Sequence, residues 1–123
     1  MTHFLLSMHT VADQAPVEMT EQQVQATMRQ VGELEADMGS TQALVASGRL
    51  ADVGSARVVR VEDGETTTSD GPFADAAERL GGFYVIEAAD LDEAISWAAR
   101  TSAAIGRPIE VRAFDGFRVP GAS

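Results

Sequence analysis

Two helix-start signals constrain the fold of this chain more than any other feature. Thr20 is followed three residues later by Gln23, and Asp90 is followed at the same spacing by Glu93. In such a capping box, the first side chain accepts a backbone N–H of the first turn, and the second reaches back to the cap. Apolar residues at spacings of three and four follow both signals, so the sequence predicts two amphipathic helices.

Each of the two predicted helices carries an apolar stripe. The first stripe comprises Val24, Met28, Val31, Leu34, Glu35 and Met38. Glu35 is its polar exception, and Gly39 suits the left-handed residue just past a helix end. The second stripe comprises Leu91, Ala94, Ile95 and Ala98, in a helix that we expect to end near Arg100. Both stripes should face a core.

Alternating and β-branched segments surround these helices and predict strands. In the first, residues 2–9, Phe4, Leu6 and Met8 share an apolar face, and the opposite face is mixed. Residues 42–47, 80–87 and the segment PIEVRAF are further strands. Asp63-Gly64 lies between two β-branched runs and favours the type I′ turn of a hairpin.

The predicted order is therefore β-α-β, a hairpin, and a final β-α-β. This order indicates an α+β, ferredoxin-like split β-α-β fold with an inserted β-hairpin. We expect one domain over residues 1–114, followed by a flexible C-terminal tail at 115–123.

Charge and composition exclude several classes of function. The net charge is −10, from 19 acidic and 9 basic residues, and there is no Lys to form a basic patch, so we expect no direct nucleic-acid partner. Without Cys, the chain has no disulfide, catalytic thiolate or thiolate metal site. No apolar stretch resembles a signal peptide or a membrane span, which predicts a cytoplasmic protein without a membrane partner.

The motif Asp70-Gly71-Pro72-Phe73 allows two interpretations. Asp70 could be a carboxylate at the mouth of a cleft, acting as a base or accepting a ligand hydrogen bond. The simpler interpretation is a turn, in which the Asp70 oxygen accepts the N–H two residues later. We expect Phe73 to be a core anchor rather than a platform for ligand stacking.

The motif and the residues after it resemble the DGPF-domain branch of the YCII-related proteins. The resemblance is strongest over Asp70-Gly71-Pro72-Phe73, Leu80-Gly81-Gly82-Phe83-Tyr84 and Asp90-Leu91-Asp92-Glu93-Ala94, followed by Trp97-Ala98. It implies a homodimer in which two ferredoxin-like subunits close their sheets into an α/β barrel. Such pairing would cover Leu5, Val85 and Val111, which we place on the face away from the helices.

The resemblance implies no single activity. Some YCII relatives resemble enzymes with a His–Asp pair at the first helix, in hydrolytic or dehalogenating chemistry; some DGPF proteins are suspected of serving alternative sigma factors. This chain has only His3 and His9, both at the first strand. The position expected for the acid falls at about Ser40, with Asp37 the nearest acid. The His–Asp chemistry is therefore not carried over.

A small set of candidate site residues remains. Asp70, His9 and Ser7 are the catalytic candidates, and Asp70, Phe73 and Arg112 are the ligand-binding candidates. His3 and His9 would lie roughly 20 Å apart along one strand, so we predict no metal site. Gly81-Gly82 lacks the setting and the Lys of a phosphate loop, and it favours a bulge or a close backbone approach. We expect no cofactor.

The sequence therefore predicts a homodimeric small-molecule-binding or accessory domain without the His–Asp pair. One alternative is an enzyme with a relocated acid–base site at Asp70 and His9. The other is an interaction partner of a sigma-factor-type regulator.

Overall fold

The structure is a computed structural model that describes residues 1–11, 19–73 and 78–121. Within these residues the chain forms six strands and two helices. Their bounds are β1 Thr2–Val11, α1 Glu21–Ser40, β2 Leu44–Arg49, β3 Arg57–Glu62, β4 Glu65–Asp70, β5 Glu78–Ala88, α2 Leu91–Ile105 and β6 Ile109–Ala113.

The strands form two antiparallel sheets. Four strands pair in the order β2-β5-β1-β6, and β3 pairs only with β4. The central strands β5 and β1 are not consecutive in the chain, as the split β-α-β arrangement requires. The α+β architecture and the hairpin inserted between the two halves are thus confirmed. The hairpin forms its own two-stranded sheet.

The core lies between one face of the four-stranded sheet and the two helices. Phe4 and Leu6 of β1 and Ile86 of β5 are at most 3% exposed and meet Leu34 and Met38 of α1. Because side chains alternate along a strand, the predicted apolar face of β1 is the face that meets this core. In the described part of the chain, no helix is long and apolar enough to cross a membrane.

The local signals around the helices were largely correct. Thr20 Oγ1 accepts the N–H of Gln23 at 3.1 Å, and Gln23 Oε1 accepts the N–H of Thr20 at 2.9 Å, which completes the predicted capping box. Asp90 accepts the N–H of Glu93 at 2.9 Å, but the Glu93 carboxylate reaches Ala89, one residue before the cap. The second box is therefore displaced by one residue.

Both helices run further than predicted. α1 continues through Gly39 to Ser40, and the positive φ near its end is at Gln42 (62°). Gly39 was therefore wrongly predicted as the terminating residue. α2 extends past Arg100 to Ile105, where Gly106 (φ 71°) takes the left-handed position that glycine favours. Gly106 lies where the chain leaves its helix, whereas Gly39 still lies within α1, so a glycine in the sequence does not by itself predict where a helix ends.

The two apolar stripes are buried only in part. On α1, Leu34 and Met38 are buried, whereas Val24 and Met28 are 42% and 69% exposed. On α2 the small residues Ala94 and Ala98 face the core. The helices therefore contact the sheet through short segments, and the first half of the α1 stripe lies outside the core.

One residue assigned to the sheet face opposite the helices was misplaced. Leu5 pairs with Val85 and Arg112, whereas Val111 pairs with Leu6 and packs against the core. Directly paired residues of antiparallel strands share a face, so Val111 lies on the helix side. Arg112 and Glu110 of β6 pair with Leu5 and Ser7 and therefore lie on the opposite face.

The segment after β6 contacts the start of β1. The rings of Phe117 and His3 stack at a centroid distance of 4.4 Å, and Phe114 lies 5.1 Å from Phe117. His3 Nε2 also lies 4.0 Å from the Glu87 carboxylate. The domain limit at 114 and the flexibility of 115–123 stay predictions.

Candidate functional site

A cavity of about 540 Å³ lies at the end of the four-stranded sheet where β1 and β2 finish and β5 begins. We call it the Tyr84 cavity. Its strand residues are Met8, His9, Thr10, Ser47, Gly48, Arg49, Gly81, Gly82, Phe83 and Tyr84, and the helical side contributes Val31, Glu35, Ile105 and Arg107. Antiparallel pairing brings these strand ends together, although they lie far apart in sequence.

Gly81 and Gly82 shape the floor of the Tyr84 cavity. Met8 pairs with Gly82 and the next residue, His9, pairs with Leu80, so Gly81 is the extra residue of a β-bulge. A Cβ at Gly82 would lie 3.1 Å from the Gly48 carbonyl oxygen on the neighbouring strand. The prediction of a bulge or close backbone approach at this glycine pair is confirmed.

The central polar contact of the cavity joins a strand to a helix. The Tyr84 hydroxyl donates to Glu35 Oε1 at 2.7 Å. Tyr84 is 5% exposed, whereas Glu35 on α1 is exposed to solvent. Burial, and then the hydrogen bond to the Glu35 carboxylate and its negative charge, raise the pKa of the Tyr84 phenol. The phenol therefore keeps its proton at neutral pH.

Two arginines, Arg49 and Arg107, line the cavity. In the described parts of the chain, the guanidinium groups of Arg49 and Arg107 make no hydrogen bond or ion pair. By contrast, Arg100 Nη2 lies 2.7 Å from Asp37 Oδ2. The described lining thus holds two guanidinium groups against the single carboxylate of Glu35, in a protein of net charge −10.

Ser7 and His9, two of the predicted catalytic candidates, lie together. Ser7 Oγ and His9 Nε2 are 3.0 Å apart, and the Tyr84 cavity is bordered by His9. Ser7, however, is only 3% exposed. Within the described ranges no hydrogen bond joins His9 to a carboxylate, so the pair has no third group that orients the imidazole.

Asp70 lies on the β3–β4 hairpin, whereas Ser7 and His9 lie on β1. It is the last residue of β4, its side chain is 92% exposed, and its carboxylate lies 3.6 Å from Arg57 Nε. The predicted side-chain bond to the N–H two residues later was wrong, because that residue is Pro72, which has no N–H. Instead, the backbone N–H of Gly71 donates to the Ala56 carbonyl at 2.9 Å.

Phe73, the last residue of the motif, is 80% exposed. Its ring centroid lies 5.7 Å from the Arg60 guanidinium carbon, and β3, which carries Arg60, pairs only with β4. The expectation that Phe73 anchors the core was therefore wrong, because the hairpin offers no core to anchor in. Its possible contact with a ligand stays a prediction, as does that of Asp70.

The structure also locates Arg112 and bears on metal binding. Arg112 lies on β6, where it pairs with Leu5 of β1, and it is not among the residues of the Tyr84 cavity. Over residues 1–11, 19–73 and 78–121, no three His, Asp or Glu side chains are grouped so that they could hold a metal ion. The expectation of no metal site stays a prediction.

Of the polar groups of the cavity, sequence reasoning found His9 but not Tyr84, Glu35, Arg49 or Arg107. Tyr84, Glu35, Arg49 and Arg107 come from β5, α1, the end of β2 and the residues after α2. One signal was present, because Glu35 interrupts an otherwise apolar stripe. An acid at such a position has to find either solvent or a polar partner, and Tyr84 supplies the partner.

The chain is similar in sequence to a known domain family and to a bacterial protein. Residues 3–113 match the family model of the YCII-related domain. Over 50 residues the chain is 48% identical to an uncharacterized protein of Rhizobium meliloti (strain 1021). That similarity covers 41% of this chain and 40% of the relative's length, so the chain spans less than half of the curated relative that it matches.

Proposed function

The chain belongs to the YCII-related family, and we propose that it is a small-molecule-binding protein whose ligand occupies the Tyr84 cavity. The observation that carries this proposal is the cavity itself. Its volume of about 540 Å³ falls within the range of about 300–1,000 Å³ usual for ligand pockets. Apolar walls at Met8, Val31 and Ile105, with a few polar groups, match the composition of such pockets.

Binding is a better proposal than the acid–base chemistry that the family resemblance suggests. The two histidines of the chain, His3 and His9, are on β1, so α1 carries no imidazole. Asp37, the acid nearest the expected position, is paired with Arg100 at 2.7 Å. A cavity with a Tyr–Glu hydrogen bond and two guanidinium groups that have no partner among the described residues can bind and orient a ligand without a titrating imidazole.

Filling the cavity tests this proposal. Val31→Phe adds bulk at the cavity wall, and Val24→Phe adds the same bulk on the same helix at an exposed position outside it. We expect small aromatic and aliphatic fragments, screened by ligand-observed NMR, to bind the wild type and Val24→Phe but not Val31→Phe. Fragments that bind all three proteins equally would show that the cavity is not the binding site.

We also propose that the protein is a homodimer formed through the sheet face opposite the helices. Support comes from Leu5 and Phe83, which are half-buried on a face that neither helix covers. Val85 between them is 6% exposed in the single chain, so a partner would cover mainly its neighbours. A specific interface of this kind buries roughly 1,600 Å² in total.

Sedimentation velocity at micromolar concentration tests the dimer. The wild type should sediment as a dimer, and Leu5→Glu should sediment as a monomer with an unchanged circular dichroism spectrum. Met28→Glu is the matched control, since Met28 is an exposed apolar residue on α1. A wild-type monomer would remove the proposal.

An enzyme with a relocated site is the second candidate function, favoured by the 3.0 Å contact between Ser7 and His9. This distance is that of a nucleophile and its base. The low exposure of Ser7 and the position of Asp70 on the hairpin weigh against it. Turnover of an activated ester that disappears in His9→Ala would favour the enzyme; turnover that survives there but vanishes in Asp70→Asn would place the chemistry in the hairpin motif.

A further inference from the structure

We propose that the ligand of the Tyr84 cavity is a small carboxylic acid that also carries an O–H or N–H donor on an apolar body. Arg49 and Arg107 bind the carboxylate, and the Tyr84–Glu35 pair accepts the donor. This inference rests on the proposed function, because it names the chemical class that the same cavity selects.

The two arginines carry the first half of the inference. A guanidinium presents a planar set of N–H donors that matches a carboxylate, and the pair is stronger than a neutral hydrogen bond. Neither Arg49 nor Arg107 uses those donors within the described parts of the chain. The net charge of −10 repels anions at long range. An anionic ligand therefore needs local positive charge, and these two residues supply it.

The Tyr84–Glu35 pair carries the second half. The Tyr84 hydroxyl has one hydrogen, and it is already donated to Glu35 Oε1. The phenol oxygen and the second Glu35 oxygen are therefore acceptors. A ligand group in this part of the cavity has to donate, since a second acceptor would leave these oxygens without a partner.

The two arginines and the Tyr84–Glu35 pair together set the orientation of the ligand. The negative charge of Glu35 repels a carboxylate, so the acid group is directed to the arginines. The donor end then meets Tyr84, and the apolar body lies against the side chains of Met8, Val31 and Ile105. A ring with an acid at one end and a hydroxyl or amino group at the other has this distribution of polarity.

Four probes separate the contributions. We would measure the dissociation constants of 4-hydroxybenzoate, 4-aminobenzoate, benzoate and methyl 4-hydroxybenzoate by NMR titration. The first two should bind at least about fivefold more tightly than benzoate, which lacks the donor, and than the ester, which lacks the charge. Comparing the hydroxy and amino acids shows which donor the site prefers.

Three variants assign the contributions to residues. Arg49→Gln and Arg107→Gln should each weaken the acids at least about fivefold and leave the ester unchanged. Arg29→Gln is the matched control, because Arg29 is an exposed arginine on α1 outside the cavity. Glu35→Ala should strengthen benzoate by removing the repulsion, and should bring 4-hydroxybenzoate and benzoate to similar affinity.

The outcomes distinguish this inference from the proposed function. If acid and ester bind equally and Val31→Phe abolishes both, the cavity binds ligands but the carboxylate assignment is overturned. Affinities for the acids that do not change in Arg49→Gln or Arg107→Gln would overturn it as well. If no probe binds, the ligand class is overturned, and the fragment screen with Val31→Phe decides separately whether the cavity binds anything.

Discussion

The four-stranded sheet and the β3–β4 hairpin are both antiparallel, yet they are stabilised in different ways. In β5 the residues from Tyr84 to Ile86 are at most 6% exposed, whereas every residue of β4 is exposed. Val59 and Val61 of β3 are 60% and 66% exposed despite their β-branched side chains. Residues that favour β-strands therefore form a buried sheet in one region and a solvent-exposed sheet in the other.

This difference shows which forces form each region. The hairpin depends on local terms, namely the turn with positive φ at Asp63 (51°) and Gly64 (80°) and the cross-strand pairs beside it. The predicted type I′ geometry at this turn is confirmed. The four-stranded sheet depends on burial against α1 and α2. A substitution should therefore have a large effect on stability in the sheet and a small one in the hairpin.

The largest expected effect is that of Ile86→Ala. Ile86 is fully buried on β5, an inner strand of the four-stranded sheet, so removing its side chain leaves a cavity and should cost about 2–5 kcal/mol in the free energy of unfolding. Val61→Ala on the hairpin is the control and should change it by less than about 0.5 kcal/mol. Urea denaturation measures both, and equal effects would contradict the comparison.

Tyr84→Phe should have the next largest effect, about 1 kcal/mol at neutral pH, because it removes the hydrogen bond to Glu35. The raised pKa of Tyr84 stabilises the folded state fully below the ordinary value of 10.0, and this contribution is lost as pH rises above it. Wild-type stability should therefore fall more steeply above pH 10 than that of the variant. Parallel stability curves from pH 7 to 11 would show that Tyr84 does not titrate in this way.

Phe73→Ala should cost less than about 1 kcal/mol. The ring is exposed, and the contact it loses is the cation–π contact with Arg60, which is worth about 0.5–1 kcal/mol at exposed sites. A buried aromatic would cost roughly 3–5 kcal/mol instead. Thermal and urea unfolding distinguish the two ranges, and a loss in the higher range would mean that Phe73 is covered in the assembled protein.

Asp70→Asn should have the smallest effect, below about 0.5 kcal/mol. Its ion pair with Arg57 is solvent-exposed, and such pairs are worth little. Repeating the measurement in 1 M salt checks this, because screening should remove the remaining difference between the two proteins. A loss above 1 kcal/mol that persists in high salt would indicate a buried role for the carboxylate.

The sequence predicted the elements of this fold better than their packing. The capping box at Thr20, the hairpin turn at Asp63-Gly64 and the apolar face of β1 are encoded by residues close together in the chain. Gly39 was wrongly predicted to follow the first helix, because a glycine inside a helix and a glycine just after a helix look the same in the sequence. They differ only in the conformation of the residues that follow. The prediction that Phe73 is buried was wrong for a related reason, because an aromatic residue is buried only where a second layer of structure covers it.

The order of the elements thus depends on the amino-acid sequence alone, because caps, turns and side-chain periodicity act over a few residues. The candidate site does not. Tyr84, Glu35, Arg49 and Arg107 meet because β5 lies between β1 and β2, and because the β5 bulge at Gly81 sets the register at that end of the sheet. Strand order and register depend on burial summed over the whole core, so the set of side chains that share the cavity is fixed at the level of tertiary structure.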